Sequence, residues 1–284
     1  MLEVSRRSLL LKGQNPDGGW GYFPGKQSWL EPTAWAAVAM HGDAAAEKAY
    51  GLVRGWQNAD GSCRPSGAVS TTHWTAALLV ILAALRKDRP VMERGVKYLM
   101  GTIGSDSGPF MRLLHYASLS RNDRDPSFEG WPWKPGAAAW IEPTAHSITA
   151  LRLARALMPD PRLDERIVSA QNMIWHQRCQ GGGWNYGARE ARGVQLQAFS
   201  ETTALALIGL MGRRGLRESI ESAQVLRTHD QAALSKAWFS VSLRMHDVEV
   251  KETAMENPAD NLVTAIAEIG SEKGTWPLLR GSSV

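Results

Sequence analysis

The chain has 284 residues and a formal net charge of +4, with 32 lysines and arginines against 28 aspartates and glutamates. This small excess is spread along the chain, which therefore has no basic block of the kind that binds nucleic acid. With 44% hydrophobic and 21% charged residues, the composition is that of an ordinary globular protein. Tryptophan is the exception, because 12 tryptophans outnumber the 5 phenylalanines and 5 tyrosines together.

The composition also excludes several kinds of site and segment. Two cysteines, Cys63 and Cys179, are too few for a disulfide framework and cannot fill a structural zinc site by themselves. The longest apolar run, residues 76–85, is far shorter than the roughly 18 residues that indicate a membrane span. The apolar cluster within residues 1–14 is too short for a signal-peptide core and has no cleavage site after it, so we expect a cytoplasmic protein.

The chain repeats itself, and the repeat decides how many domains to expect. Residues 19–34 and 130–145 align without a gap and share nine of sixteen positions, including two tryptophans and two prolines. A looser copy runs over residues 183–204 with six extra residues, and a degenerate copy over 57–74 has Ser70 in place of glutamate. Internal repeats of this kind are typical of stacked or closed arrays of similar units.

In chain order, each copy predicts an amphipathic outer helix, a glycine-rich loop with tryptophan, and an apolar inner helix that is buried on all sides. The outer helices are predicted at 47–56 and 163–177, the inner ones at 33–40, 72–85, 144–157 and 202–211, a further pair at 216–227 and 231–245, and a last helix at about 258–270. No segment alternates with period two, so almost no sheet is expected. We therefore predict an all-α fold, a single domain over 1–284, with repeats at about 1–42, 43–88, 89–158, 159–213 and 214–284.

The repeated loops carry a family resemblance. Gln-Asn-Pro-Asp-Gly-Gly-Trp-Gly at 14–21, the weaker copy at 57–61 and Gln-Gly-Gly-Gly-Trp at 180–184 resemble the Gln-Trp repeat of squalene–hopene cyclases. The Thr-Ala-x-Ala helices that follow are typical of the wider terpenoid cyclase and protein prenyltransferase superfamily. The resemblance covers about residues 5–215. It implies an (α/α) toroid whose inner helices surround a central cavity lined with aromatic residues, in which family members bind isoprenoid chains.

The sequence also departs from that family. The Asp-x-Asp-Asp motif with which class II cyclases protonate their substrate is missing, and the nearest run, residues 123–125, precedes a proline in a polar segment. Prenyltransferases bind zinc through Asp, Cys and His, but Asp60 and Cys63 do not have the family spacing. We therefore expect no metal and no cofactor. The resemblance indicates a fold and a cavity, not a named reaction.

Three glutamates hold a repeated position before the inner helices. Proline is favoured in the first turn of a helix, so Glu31 and Glu142, which precede Pro-Thr-Ala, are expected at the start of two inner helices. Glu201 aligns with them in a third copy. In a closed barrel these carboxyl groups would ring one end of the cavity. As candidate catalytic residues they would act as general acids, and in the structural interpretation they accept backbone N–H bonds and complement the helix dipole.

Other candidates come from irregularities in the repeat. His73 replaces Ala34 of the first copy and stands beside Trp74, so it is a candidate catalytic residue, while His146 occupies the place of Trp35. Both histidines could equally be satisfied core residues. Candidate ligand-binding residues are Trp29, Trp35, Ser70, Trp74, Trp140, His146 and Trp238. The tryptophans that follow glycine in the loops, Trp20, Trp131 and Trp184, are expected to be structural.

Three functions remain open at this point. The first is a terpene-cyclase-like enzyme that binds an isoprenoid or another hydrophobic ligand and cyclises or isomerises it by protonation. The second is a toroid that binds such a ligand or another protein without chemistry, and the third is a subunit like the prenyltransferase β chain. The partner expected is a hydrophobic small molecule, with peripheral contact to a membrane surface left open and nucleic acid excluded. The oligomeric state cannot be predicted.

Overall fold

The computed structural model describes residues 5–69, 73–117, 125–191, 193–251 and 260–271. Within these ranges nearly all regular secondary structure is helical, as predicted. The helices are α1 (Arg6–Gly13), α2 (Leu30–Ala39), α3 (Ala44–Arg54), α4 (His73–Leu85), α5 (Arg89–Met100), α6 (Pro109–Tyr116), α7 (Ile141–Leu157), α8 (Pro161–His176), α9 (Ser200–Gly209), α10 (Arg217–His229), α11 (Ala233–Met245) and α12 (Asn261–Ile269). A short 3₁₀ turn spans Ser105–Ser107, and the extra residues of the third copy form an antiparallel hairpin of β1 (Glu190–Ala191) and β2 (Val194–Gln195).

The helices form two layers that begin in different ways. Outer helices α3, α5 and α8 start at aspartate N-caps, Asp43, Asp88 and Asp160, whose side chains accept backbone N–H bonds. Inner helices α2, α7 and α9 start at aromatic residues instead, and no side chain caps them. Nearly every residue of α2 and α9 and of the first half of α7 is buried, so the apolar surface of these segments is covered by protein on all sides.

Two inner helices, α2 and α7, have their first residue bonded to the loop of the following copy. The N–H of Leu30 donates to the carbonyl of Pro65 at 2.7 Å, and that of Ile141 to the carbonyl of Tyr186 at 3.0 Å. These bonds satisfy donors that a helix terminus leaves open. The helices begin earlier than predicted, so Glu31 and Glu142 lie in the second helical position rather than at the boundary, with proline third. Proline is accepted there because its missing N–H belongs to the first turn.

The inner helices close into a ring. Helix α2 packs on α4, α4 on α7, α7 on α9, α9 on α11, α11 on α12, and α12 returns to α2. Asn261 makes the closure, because its backbone N–H donates to the carbonyl of Tyr22 at 2.8 Å and its buried amide donates to the carbonyl of Gly21 at 2.9 Å. The described part of the chain therefore supplies six inner helices, with α1, α3, α5, α8 and α10 outside them. No described helix is long and apolar enough to cross a membrane.

The tryptophans of the repeat loops tie the two layers together. Trp20, Trp131 and Trp184 are fully buried, and their indole N–H groups donate to carbonyls of outer helices α1, α5 and α8 at 2.7–2.9 Å. In each loop the tryptophan N–H also donates to the hydroxyl of an inner-helix threonine, and its carbonyl accepts from the N–H at the inner-helix N-cap. The repeated Gly-Trp pair therefore fixes where each inner helix starts relative to its outer neighbour.

Candidate functional site

Three carboxyl groups share one level of the ring. Glu31, Glu142 and Glu201 lie in the first turns of α2, α7 and α9, and each lies within electrostatic reach of at least one of the others. Glu31 accepts a hydrogen bond of 2.5 Å from the hydroxyl of Tyr22, a residue of the first repeat loop. The N-cap positions of α2, α7 and α9 are held by aromatic residues, and the three glutamates lie in the first turns, where a carboxylate complements the helix dipole.

Burial dominates the chemistry of these acids. It raises the pKa of Glu31, Glu142 and Glu201 each to about 7, because an ionised carboxylate loses its water at this position. Repulsion from Glu142 raises the pKa of Glu31 and Glu201 further, while the hydroxyl of Tyr22 acts in the opposite direction on Glu31. Near neutral pH a large fraction of each group is therefore protonated and holds a proton that it can donate.

One turn further along the inner helices, a histidine is surrounded by indole rings. His146 lies four residues after Glu142 on α7, with ring centroids 5.4 Å from Trp35, 5.8 Å from Trp238 and 6.3 Å from Trp74. Trp35 and Trp238 meet edge to face at 5.1 Å, and Trp74 meets Trp133 in the same way at 5.2 Å. We call Trp35, Trp74, Trp133, His146 and Trp238 the indole cage.

His146 is buried and electrically neutral. Only 2% of its side chain is accessible, and burial lowers its pKa to about 4, although Glu31 and Glu201 act in the opposite direction. Its Nε2 lies 3.9 Å from Oε1 of Glu142, which is too far for a hydrogen bond. Within the part of the chain that the structure describes, Nε2 has no hydrogen-bond partner. Buried polar atoms without a partner are uncommon in folded proteins, so this nitrogen marks an unusual position in the core.

The structure brings together only some of the predicted ligand-binding tryptophans. Trp35, Trp74 and Trp238 belong to the indole cage, whereas Trp29 and Trp140 are N-cap residues at the level of the acids. Trp140 is 36% exposed, and its ring centroid lies 6.1 Å from that of Tyr186. The ring centroid of Tyr186 in turn lies 4.9 Å from that of Phe199. These three aromatic rings lie at the rim of the ring, where α7 and α9 begin.

Two predicted residues cannot be placed and two important ones were not predicted. Ser70 and the side chain of His73 lie outside the described residues. The structure adds Tyr22, which bonds Glu31, and Trp133, which extends the indole cage. Aligning the loops was enough to find both, because Tyr22, Trp133 and Tyr186 occupy one aromatic position two residues after the loop tryptophan.

The residues that a prenyltransferase-like zinc would need do not fit one. Asp60 accepts hydrogen bonds from the backbone and hydroxyl of Ser62, so it holds the turn of its own loop. Cys63 is buried, and burial raises the pKa of its thiol to about 12, whereas zinc binds the thiolate. No three His, Cys, Asp or Glu side chains among the described residues are grouped so that they could hold a metal ion.

In comparisons of sequence, no family model and no curated protein match the chain. Comparison with solved structures is informative. The type II terpene cyclase MstE from Scytonema is similar with a TM-score of 0.56 over 93% of this chain and 95% of that chain, at 13% identity. A variant of MstE in complex with its substrate, geranylgeranyl dihydroxybenzoate, gives 0.54 over 93% and 75%, at 15% identity.

A structure with a different activity is also similar. A glycosidase matches with a TM-score of 0.52 over 93% of this chain and 80% of that chain, at 12% identity. At such low identities the likeness concerns the fold alone, and one fold carries more than one chemistry. The chain therefore has an all-α, terpene-cyclase-like toroid fold, and its activity has to be argued from the acids and the indole cage.

Proposed function

We propose that the protein binds an isoprenoid-class hydrophobic ligand inside the ring and isomerises or cyclises it by proton transfer from a glutamic acid. One observation carries the proposal. Three carboxyl groups with a pKa of about 7 lie one helical turn above a cage made of tryptophan rings and a neutral histidine. The likeness to MstE, which binds a geranylgeranyl compound, supports an isoprenoid over other apolar ligands.

Glu142 is the best candidate for the acid. Glu31 already accepts the hydroxyl of Tyr22, whereas Glu142 makes no hydrogen bond among the described residues and is nearest to the indole cage through His146. Its side chain keeps 19% of its surface accessible, so a ligand that enters the ring can touch it. The cage offers mainly ring faces and few hydrogen-bonding groups, which favours a hydrocarbon over a sugar.

The proposed reaction begins with protonation of a double bond by Glu142. The carboxyl proton of Glu142 bonds to one alkene carbon, the π pair forms the new C–H bond, and the other carbon becomes a carbocation. Indole faces stabilise the cation through their quadrupoles. Attack by a second double bond closes a ring, and loss of a proton to the Glu142 carboxylate restores the acid. A raised pKa makes Glu142 a weaker acid than usual, so cation stabilisation by the cage must supply most of the rate enhancement.

The test is a product assay with single isosteric variants. The purified protein is incubated with geraniol, farnesol and geranylgeraniol, and the products are separated by gas chromatography and mass spectrometry. We expect Glu142→Gln to lower the rate at least 100-fold, because removal of a general acid typically costs this much. Glu93→Gln, which removes an exposed carboxyl paired with Arg89, is the matched control and should keep full activity. Full activity in Glu31→Gln, Glu142→Gln and Glu201→Gln alike would reject acid catalysis by these residues.

A toroid that only holds its ligand is the second candidate. The absence of an Asp-x-Asp-Asp motif favours it, since the class II acid motif has no counterpart in the sequence. Native mass spectrometry of the purified protein, followed by lipid extraction, distinguishes the two functions. A co-purified isoprenoid that remains unchanged on prolonged incubation supports binding without chemistry.

A further inference from the structure

We propose that the end of the ring at which the inner helices begin binds the surface of a lipid bilayer that contains anionic lipids. The contact is made by six exposed aromatic residues, which we call the aromatic end face: Phe23, Phe110, Tyr116, Trp140, Tyr186 and Phe199. The inference goes beyond the proposed function, because a bilayer contact of this kind requires neither an isoprenoid ligand nor a reaction.

The exposed aromatic residues are distributed on one side of the molecule. Among the described residues, every phenylalanine, tryptophan and tyrosine that is exposed belongs to the aromatic end face. All six lie in the connections that lead from an outer helix to the start of α2, α7 or α9, so they belong to one end of the ring. The outer helices expose only scattered aliphatic residues of this size, Leu11, Val168 and Val225. Single exposed apolar residues are common on any protein, whereas a one-sided group of aromatic rings indicates a binding surface.

Helix α6 supplies the most exposed part of the face. Phe110 and Tyr116 are 69% and 79% exposed, and Leu113 between them is 65% exposed. Their spacing of three residues places these side chains along one side of the helix. Arg112 holds the helix from another side, since its guanidinium donates to the carboxylate of Glu129. A short helix that is tied to the protein by a polar side chain and exposes an aromatic side is typical of contacts with a membrane surface.

Trp140, Tyr186 and Phe199 form a second part of the face, at the rim of the ring. Tryptophan and tyrosine are enriched where a membrane meets water, because each joins an apolar ring to a polar N–H or O–H group. Trp140 is the N-cap residue of α7, and Glu142 lies two residues further, so this part of the face borders the level of the acids. A bilayer surface can touch protruding rings from three separate connections at once, so it fits a face that is assembled in this way.

The charges at this end of the ring favour an anionic surface. Lys26, Lys134 and Arg189 are exposed on the connections into α2, α7 and α9, and no carboxylate among the described residues forms an ion pair with them. The described carboxylates of the connections into α2, α4, α7 and α9 all have partners: Asp17, Asp60, Asp106, Asp125, Glu129 and Glu190. Unpaired basic residues beside an apolar face strengthen its binding to anionic lipids. They disfavour a second copy of this chain, which has a net charge of +4 and would present the same cations.

The experiment measures co-sedimentation of the full chain with vesicles of phosphatidylcholine, with and without one quarter of phosphatidylserine. We expect stronger binding when phosphatidylserine is present, and this gain should shrink at high salt. Phe110→Ser combined with Tyr116→Ser should lower the partition coefficient at least about 10-fold, because two large apolar side chains no longer enter the bilayer. Val168→Ser combined with Val225→Ser, which removes exposed apolar residues of outer helices, is the matched control and should bind like the wild type. Lys134→Gln should lower binding about 5-fold on vesicles with phosphatidylserine and leave binding to phosphatidylcholine alone unchanged.

Hydrogen exchange on the unchanged protein locates the contact. Amides of residues 109–116 and 185–199 should exchange more slowly when vesicles are present, whereas those of α3 and α10 should not change. No binding to either kind of vesicle overturns the inference and leaves the proposed function intact, because the product assay uses ligands without a membrane. Equal binding by the wild type and the Phe110→Ser, Tyr116→Ser variant also overturns it. A dimer in sedimentation velocity that is lost in this variant would assign the face to a second copy of the chain and overturn the bilayer contact.

Discussion

At the residue scale, the site keeps groups uncharged that would be charged in water. The pKa of Glu142 rises from 4.5 in water to about 7, so the folded chain binds more protons than the unfolded chain between these values. The free energy of unfolding therefore decreases as the pH rises from 4.5 through 7. His146 acts in the opposite direction, because its pKa falls from 6.5 to about 4, and its contribution to stability is lost as the pH falls through this window.

Replacement of Glu142 by glutamine tests the first effect. We expect Glu142→Gln to match the wild type in free energy of unfolding at pH 4.5, where both side chains are neutral. At pH 8 the variant should be more stable by roughly 3 kcal/mol, since the pKa shift is about 2.5 units and one unit corresponds to about 1.4 kcal/mol. Urea unfolding followed by tryptophan fluorescence measures the difference. A difference that does not change with pH would contradict the burial of an ionisable group at this position.

The second effect is tested at His146. His146→Phe keeps an aromatic ring among Trp35, Trp74 and Trp238 but removes the titrating nitrogens. We expect the wild type to lose stability between pH 6.5 and pH 4 and the variant to lose less over the same interval. Melting temperatures in matched buffers check this. Parallel melting curves for the two proteins would show that protonation of His146 does not limit stability at low pH.

At the scale of elements, the close approach of each loop to its inner helix explains why glycine precedes every loop tryptophan. A Cβ on Gly130 would lie 2.7 Å from Cβ of Ala139 and 2.8 Å from the hydroxyl of Thr144. Gly19 and Gly183 have equally close neighbours in their own copies, Ser28 and Ala198. The residue that precedes each inner-helix N-cap occupies the space, so only glycine allows the loop to approach the helix.

Alanine at two glycines gives opposite results if this account is correct. Gly130→Ala should lower the free energy of unfolding by about 1–3 kcal/mol, because the added methyl group overpacks the loop. Gly51→Ala, in the interior of α3 with no atom within 4 Å of the added Cβ, should raise it by up to about 1 kcal/mol. Chemical denaturation of both variants provides the comparison. Equal effects of the two substitutions would show that the loop can yield without cost.

At the scale of the whole molecule, closure depends on contacts between the two ends of the described chain. Asn261 is buried and donates to Gly21 and Tyr22, and a Cβ on Gly13 would lie 2.4 Å from its amide oxygen. Tyr22 in turn bonds Glu31. We call the contact between Asn261 and residues 21–22 the seam of the ring. Tyr22 therefore connects the seam to the candidate site.

Weakening the seam should loosen the helices at the two ends of the described chain more than those in its middle. Asn261→Ala leaves a buried carbonyl without its donor, and we expect a loss of about 1–3 kcal/mol. Hydrogen exchange should accelerate in α1 and α12 more than in α5, since local opening begins where contacts are lost. Asn185→Ala, which removes two exposed hydrogen bonds, one to the carbonyl of Gln197 and one from the N–H of Tyr186, is the control and should leave this pattern unchanged. Uniform acceleration over all helices would mean that the seam does not open separately.

The sequence reveals the layers better than their assembly. Helical periodicity and the Glu-Pro-Thr-Ala repeat were sufficient to predict the inner helices and the shared level of Glu31 and Glu142, because these features are local. The family resemblance implied a closed toroid, but the local patterns did not, since Asn261 and Gly21 are 240 residues apart and no motif connects them. Alignment of the loops reveals the shared aromatic position of Tyr22 and Trp133, but only the placed helices show that these two side chains face the acids and the indole cage.

A ring of helices that meets its own beginning has a consequence for how such a protein can change. An open array of repeats can lengthen by one unit and keep its geometry, provided that its terminal units stay polar on the outside. Here α12 covers α2, so the number of inner helices fixes the circumference. Gain or loss of one helical hairpin would change the number of inner helices by one and would therefore change the internal diameter of the ring. Adaptation to a larger or smaller ligand is therefore expected to proceed through substitutions of the indole rings and of the rim residues, at a constant number of helices.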